Sequence, residues 1–232
     1  MHVTAAETEE ERATVLVLHG FAGFRGMNRP LARMLARSGY RACEVGYDSW
    51  GLTLEEVCDR LGTQLNDLDE TSTGPLHIVA HSMGGLVARA LINSRRPRNL
   101  GHVVMLGTPN GGSEIADFLN GMALLRPILG RAAPALVTQR PAEIEAMLGR
   151  IDYPVGIIAG SRPIMPIAAA RLVPEPSDGK VSVASTRLPE AADHIILPLS
   201  HSMLPYHASA HCQIVHFLSH GRFEHPETSG AN

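Results

Sequence analysis

Six consecutive residues, Ala80-His81-Ser82-Met83-Gly84-Gly85, are the part of the chain best suited to covalent chemistry. The apolar run Leu76-His77-Ile78-Val79-Ala80 leads into them, and Leu86-Val87-Ala88-Arg89-Ala90-Leu91-Ile92 leads out with a helix-like pattern. A serine flanked by small residues between a strand and a helix can stand on a sharp turn, its hydroxyl clear of the backbone. Gly84 has no Cβ to meet a neighbouring strand, and Gly85 lets the helix pack closely on the sheet. The same turn aims the helix N-terminus at the serine, so the Met83 amide becomes a donor for a developing oxyanion. A serine hydroxyl is a weak nucleophile at neutral pH. It needs a base within hydrogen-bond reach, and the base needs a third group to fix its tautomer. The chemistry so implied is attack on an acyl carbon.

The chain has 12 histidines from which to draw a base. His201 lies in Leu199-Ser200-His201-Ser202-Met203-Leu204, between the last short apolar run and the last helix-like stretch. His207, His211, His216 and His220 read as helical. Two i, i+4 pairs among them, His207/His211 and His216/His220, have the spacing of a divalent-metal pair, but no third ligand stands nearby, and solvated histidines are the simpler reading. No metal is expected. His81 precedes Ser82, so its side chain points away from the hydroxyl and reads as packing or support. Two aspartates compete as the third group: Asp178, in the turn Asp178-Gly179-Lys180-Val181, and Asp193, beside His194.

These stretches resemble a known family. The AHSMGG spelling is similar to the nucleophile turn of the α/β-hydrolases, bacterial lipases and esterases in particular, with Ala80 where glycine is more usual. Their order is serine, acid, histidine, and Ser82, Asp178 and His201 follow it, each just after a predicted strand. The Asp-Gly-x-Val pattern at Asp178 resembles the acid-bearing turn of that family, and His201 sits where the family keeps its histidine. His19-Gly20-Phe21 resembles its oxyanion turn, which makes the Phe21 amide the second donor beside Met83. Gly107-Thr108-Pro109-Asn110-Gly111-Gly112-Ser113 is similar to a strand-end turn of the same relatives. It is expected to buttress the serine turn, with Asn110 near the substrate. Phe24 and Trp50 are expected in an apolar substrate pocket, with Phe21 and the insert described below.

The elements that must position these residues alternate. Ala13 to Gly20, Tyr40 to Val45, Leu76 to Ala80, His102 to Leu106, Pro154 to Ala159 and His194 to Leu199 read as strands, and the unalternating first run suggests burial on both faces. Helices are expected over Leu31 to Arg37, from a Thr53 cap with Glu56 in a capping box to about Leu68, and over Ala208 to Leu218. The class is α/β, an α/β-hydrolase fold with a mostly parallel sheet of about six strands and helices on both faces. Residues 1–232 form one domain. Within it, residues 114–150 are helical segments cut by Pro127, Pro134 and Pro141, either a lid over the site or scaffold behind the sheet. Asp178-Gly179-Lys180 is a turn into a short extended run ending at Val183. Residues 1–12, the proline-rich stretch 162–176 and the tail after Phe223 read as irregular.

The bulk numbers narrow the function. The chain has 232 residues, is 44% hydrophobic and 19% charged, and carries a net charge of −3. Nothing there points to nucleic acid or to an anionic membrane surface. Cys43, Cys58 and Cys212 are odd in number and spread out, which suggests buried free thiols in a reducing compartment. The polar first dozen residues lack the basic and apolar regions of a leader, and a cytoplasmic location is expected. No apolar run approaches a bilayer span, so no membrane anchor is expected. The resemblance implies a serine ester hydrolase, esterase or lipase, acting on a small acyl ester or a lipid through an acyl-enzyme without a cofactor. A thioesterase or phospholipid acyl hydrolase on the same residues, and a non-catalytic binding relative, are the alternatives. The oligomeric state stays open.

Overall fold

Thr14–Leu18 (β1) is buried on both faces along its whole length, as an unalternating Thr-Val-Leu-Val-Leu run requires. In the computed structural model, which describes residues 12–163 and 172–225, five further strands join it. They are Arg41–Val45 (β2), Leu76–His81 (β3), Leu100–Leu106 (β4), Val155–Gly160 (β5) and Asp193–Leu197 (β6). The sheet order is β2-β1-β3-β4-β5-β6, and every pair is parallel.

The side chains of the strands sort onto two faces. Val15, Val17, Val79, Val104 and Ile158 pack with Leu31 and Leu35 of helix Arg29–Arg37 (α1) and with Ile214 and Phe217 of helix Ala208–His220 (α8). Leu16, Leu18, Ile78, Val103 and Ile157 pack on the other face with helices Leu54–Thr71 (α2) and Met83–Ser94 (α3). Helix α2 starts where expected. Thr53 Oγ1 accepts from the Glu56 amide and Glu56 returns a bond to the Thr53 amide, a box worth about 1 kcal/mol. It runs three residues past the expected end.

The strand β1 lies one in from an edge; the chain moves out from it to β2 and crosses back to β3 on the other side of β1. The carboxyl ends of β1 and β3 are therefore neighbours whose following chain departs in opposite directions. In parallel sheets this reversal opens a crevice in which ligands bind. Leu18 pairs with Ala80 in register, so the turns after β1 and β3 emerge side by side.

Residues 114–150 contain helices Glu114–Gly121 (α4), Ala133–Leu136 (α5) and Ala142–Leu148 (α6), with a 3-10 helix Arg126–Ala132 before α5. The expected extended run after Lys180 is shorter than foreseen. Ser177 and Ser182 form one antiparallel bridge, and the Ser182 hydroxyl then caps helix Val183–Thr186 (α7). The expected thiol burial holds for Cys58, whereas Cys43 is half-buried and Cys212 exposed; all three are free. The arginines that follow α3 are paired: Arg95, Arg96 and Arg98 meet Asp59, Asp152 and Asp69. No described helix is long and apolar enough to cross a membrane. Residues 1–11, 164–171 and 226–232, where irregular chain was expected, lie outside the described residues.

At the opposite end of the sheet, His77 Nδ1 accepts the His102 amide (2.8 Å), which requires a neutral ring. Burial, with His102 alongside, pushes its pKa down to about 4. A base whose folded pKa lies below its unfolded value contributes full stability above the unfolded pKa. That stability is lost as pH falls toward the folded pKa. Between pH 6.5 and 4, His77 is expected to remove up to about 3 kcal/mol of unfolding free energy. Urea unfolding across that window measures it, and His77→Gln, whose side chain cannot take up a proton there, should flatten the slope.

Candidate active site

Ser82 follows β3 directly and caps α3 with φ 54° and ψ −127°, a conformation that non-glycine residues rarely hold. The cause is a tight reversal. The Ser82 amide donates to Leu106 O (2.8 Å) and the Gly85 amide to Ser82 O (3.0 Å), folding the chain from strand to helix within three residues. The first turn of α3 is pressed against β1: a Cβ on Gly84 would lie 2.6 Å from His19 O and 2.9 Å from Leu18 O. A Cβ on Gly85 would meet Thr108 Oγ1 at 2.1 Å. The turn after β4 thus buttresses the serine turn, as expected of Gly107–Ser113.

The turn after β1 lies beside Ser82, where a Cβ on Gly20 would be 2.8 Å from the Ser82 Cβ. The next amide is Phe21, and Met83 is the first helical residue of α3. Neither amide donates to an acceptor among the described residues. Two free N–H groups flanking one hydroxyl can stabilise negative charge on an oxygen bonded to the attacked carbon.

An unforeseen pair holds this turn in place. The rings of His19 and Tyr47 stack, centroids 4.1 Å apart. The Tyr47 hydroxyl donates to His19 O, the Tyr47 amide donates to His19 Nε2 (3.2 Å), and His19 Nδ1 donates to Gly20 O (2.9 Å). Burial lowers the His19 pKa, in keeping with a neutral ring whose Nε2 accepts. These residues are 28 positions apart, and no local pattern links them.

Asp178 and His201 are both buried and meet: His201 Nδ1 donates to Asp178 Oδ2 at 2.7 Å. Asp178 Oδ1 accepts from the amides of Lys180 (2.9 Å) and Val181 (2.8 Å). The His201 amide donates to Asp178 O (3.0 Å). With Nδ1 so engaged, Nε2 is left without a proton, the tautomer of a general base. Contrary to expectation, Asp178 does not directly follow a strand. It lies well beyond β5 in sequence, and the chain folds back so that a Cβ on Gly160, the last residue of β5, would lie 2.7 Å from the Asp178 Cβ. Gly107 is equally constrained. Its φ is +57°, and a Cβ there would meet Asp178 Oδ2 at 2.9 Å and His201 Nδ1 at 3.1 Å.

The competing acid is engaged elsewhere: Asp193 accepts from the Phe223 amide and from His225. His81 stays out of the serine's way, as expected, but it touches His201. Its Nε2 donates to His201 O (3.0 Å), and the two rings lie 4.8 Å apart. Burial, and then His201 nearby, push the His81 pKa well down. The helical histidines make local bonds, for example His207 to Ser209 and His211 to Pro205 O. No group of three potential metal ligands occurs among the described residues.

Ser82, His81 and His201 open into one cleft of about 490 Å³. Its wall includes Phe21, Met27, Val181 and, from the insert, Ile115, Leu119, Ile128, Leu129 and Leu136. Three expected substrate contacts are not among its lining residues. Phe24 is 64% exposed, in solvent rather than on the cleft wall. Trp50 is 53% exposed and acts from behind: its indole N–H donates to Pro127 O and Ile128 O, fixing the 3-10 helix that presents Ile128 and Leu129. Asn110 is 6% exposed and spends its amide inside, donating to Thr186 O and accepting from Arg89. The lining is mainly aliphatic, with Phe21 and Tyr206 beside the aliphatic residues. The insert divides: α4, the 3-10 helix and α5 line the cleft, while α6 packs on α3, where Asn93 binds Ala146 O and Met147 O.

Comparisons place this geometry among known folds. The sequence profile of the family described as a domain of unknown function, DUF7379, matches residues 2–161, a span that takes in Phe21 and Ser82 and stops before Asp178 and His201. No curated protein sequence matches the chain. Among solved structures, the mature form of lipase BlEst2 from Bacillus licheniformis is similar, with a TM-score of 0.73 and 18% identity over 90% of this chain and 91% of that one. Phospholipase PlaB from Legionella pneumophila gives 0.66 and 16% over 86% of this chain and 58% of that one. The metagenomic carboxyl esterase MGS0156 gives 0.67 and 16% over 84% and 66%. At these identities the likeness is one of fold.

Proposed function

We propose, for a chain that belongs to the DUF7379 family and has the α/β-hydrolase fold, the activity of a serine carboxylic-ester hydrolase. The observation that carries this reading is the 2.7 Å bond from His201 Nδ1 to Asp178 in a cleft that Ser82 also lines. His201 Nε2 takes the Ser82 proton as Oγ attacks the ester carbonyl. The Phe21 and Met83 amides hold the oxyanion, and each donor is worth about a hundred- to a thousandfold in rate. Asp178 keeps the tautomer and stabilises the imidazolium. Collapse of the tetrahedral intermediate breaks the C–O bond, and His201 returns the proton to the departing alcohol. Water, deprotonated by the same nitrogen, then releases the acid and regenerates Ser82.

The aliphatic wall supports an apolar acyl chain, and the likeness to a lipase, an esterase and a phospholipase supports acyl esters as the substrate class. We read α4, the 3-10 helix and α5 as the cover of the acyl site and α6 as scaffold. The same steps serve thioesters and phospholipid acyl groups, and a matched panel ranks them. Two measurements test the reading: turnover across a chain-length series of p-nitrophenyl esters, and mass spectrometry after treatment with an alkyl fluorophosphonate. Stoichiometric phosphonylation of Ser82 with loss of turnover is expected. An unlabelled Ser82 in folded protein that also lacks turnover would sink the proposal.

A further inference from the structure

Lys180 is the only lysine of the chain; every other side chain of fixed positive charge is an arginine. It stands two residues beyond Asp178 and lines the cleft with Ser82 and His201. Among the described residues no aspartate, glutamate or arginine lines that cleft. The Lys180 backbone is held from both sides. Its amide donates to Asp178 Oδ1, and its carbonyl accepts from the Ser113 hydroxyl (3.3 Å). The side chain is exposed, and its ammonium pairs with no acceptor among the described residues. Asp178 does not need it as a counter-ion, since Oδ1 takes two amides and Oδ2 takes His201.

A turn held from both sides thus carries one unpaired positive charge at the edge of a largely apolar cleft. Walls of low dielectric with charge of one sign focus the field on an incoming ion of the other. Where an arginine would impose a fixed planar fork, the ammonium is a point charge on a flexible stem that can follow a substituent without demanding one geometry.

We propose that Lys180 receives an anionic group of the substrate. The preferred substrate is then an ester joining an apolar acyl chain, laid on the aliphatic wall, to an alcohol that bears a carboxylate or phosphate. This rests on the ester-hydrolase reading. Lys180 touches none of the reacting atoms; it is a specificity determinant.

The test is a matched pair of chromogenic esters: the hexanoate of 3-hydroxy-4-nitrobenzoic acid, an anion, and the hexanoate of its neutral methyl ester. The quantity read is the ratio of their kcat/KM values within each protein. At low ionic strength the wild type should favour the anion by about fivefold, the upper range for one partly screened pair. Lys180→Met should abolish the preference, Lys180→Glu reverse it, Lys180→Arg retain it, and about 0.5 M salt suppress it in the wild type. An influence of Lys180 on the triad alone would move both esters together and leave the ratio in place; an unchanged ratio in Lys180→Met overturns the proposal. A second arm is independent of turnover. In the Ser82→Ala background, calorimetry compares octyl phosphate with octanol. Loss of the phosphate preference on adding Lys180→Met upholds the anion site even where neither ester is hydrolysed, in which case the ester-hydrolase reading alone fails. Equal affinity for the two ligands before and after that change overturns the anion site.

Discussion

Replacing Ser82 with alanine is expected to lower kcat for ester hydrolysis by about 10⁵- to 10⁶-fold, the loss seen when a nucleophile is removed from a unit that works together. Stability should hardly move. The cost of the positive φ at Ser82 (54°) arises from its Cβ and backbone, which alanine shares. Glycine has no such cost, so Ser82→Gly should be equally inactive yet more stable by about 1 kcal/mol. Melting temperatures of the three proteins, beside their rates, measure both effects. An alanine variant with wild-type turnover would mean that Ser82 is not the nucleophile.

Asp178→Asn should cost about 10⁴-fold in kcat with the fold intact, and the structure gives the reason. The amides of Lys180 and Val181 both donate to Oδ1. An asparagine at this position must place its carbonyl oxygen there, because an NH₂ group would face two donors. Its NH₂ then replaces Oδ2 and donates to His201 Nδ1. The imidazole is driven into the tautomer that carries its proton on Nε2 and cannot accept from Ser82. The KM should change little, since Asp178 does not line the cleft. The check is steady-state kinetics beside the ¹⁵N chemical shifts of the His201 ring, which distinguish the two tautomers.

The expectations that rested on adjacent residues match the structure best. Thr53 and Glu56 are three apart and form the capping box; the small residues around Ser82 form the tight turn; β1 is buried on both faces because its residues do not alternate. Longer-range choices were less legible. Asp178 and Asp193 compete in the sequence as acids, and only the fold reveals that Asp193 opens β6 at the amino edge of the sheet, where the Phe223 amide and His225 occupy it. Trp50 and Phe24 read as pocket residues because aromatic rings are scarce and apolar, but the direction of a loop side chain is not written in its neighbours. Asn110 lies in a turn next to the site and faces inward. Prolines at 127, 134 and 141 broke the periodicity from which the lining positions of the insert would otherwise have been read. The His19–Tyr47 stack joins two loops and leaves no local trace.

His201 follows β6, an edge strand paired with β5 alone. Phe21, Ser82 and the Thr108 buttress follow β1, β3 and β4 respectively, which precede it in the chain. Emerging from the ribosome, the polypeptide makes its serine turn more than a hundred residues before His201. If His201 is the base proposed above, the serine is an ordinary alcohol until β6 docks. On the proposed mechanism the unfinished chain is therefore chemically silent, and the docking of β6 that brings His201 to the cleft it shares with Ser82 completes both the sheet and the site.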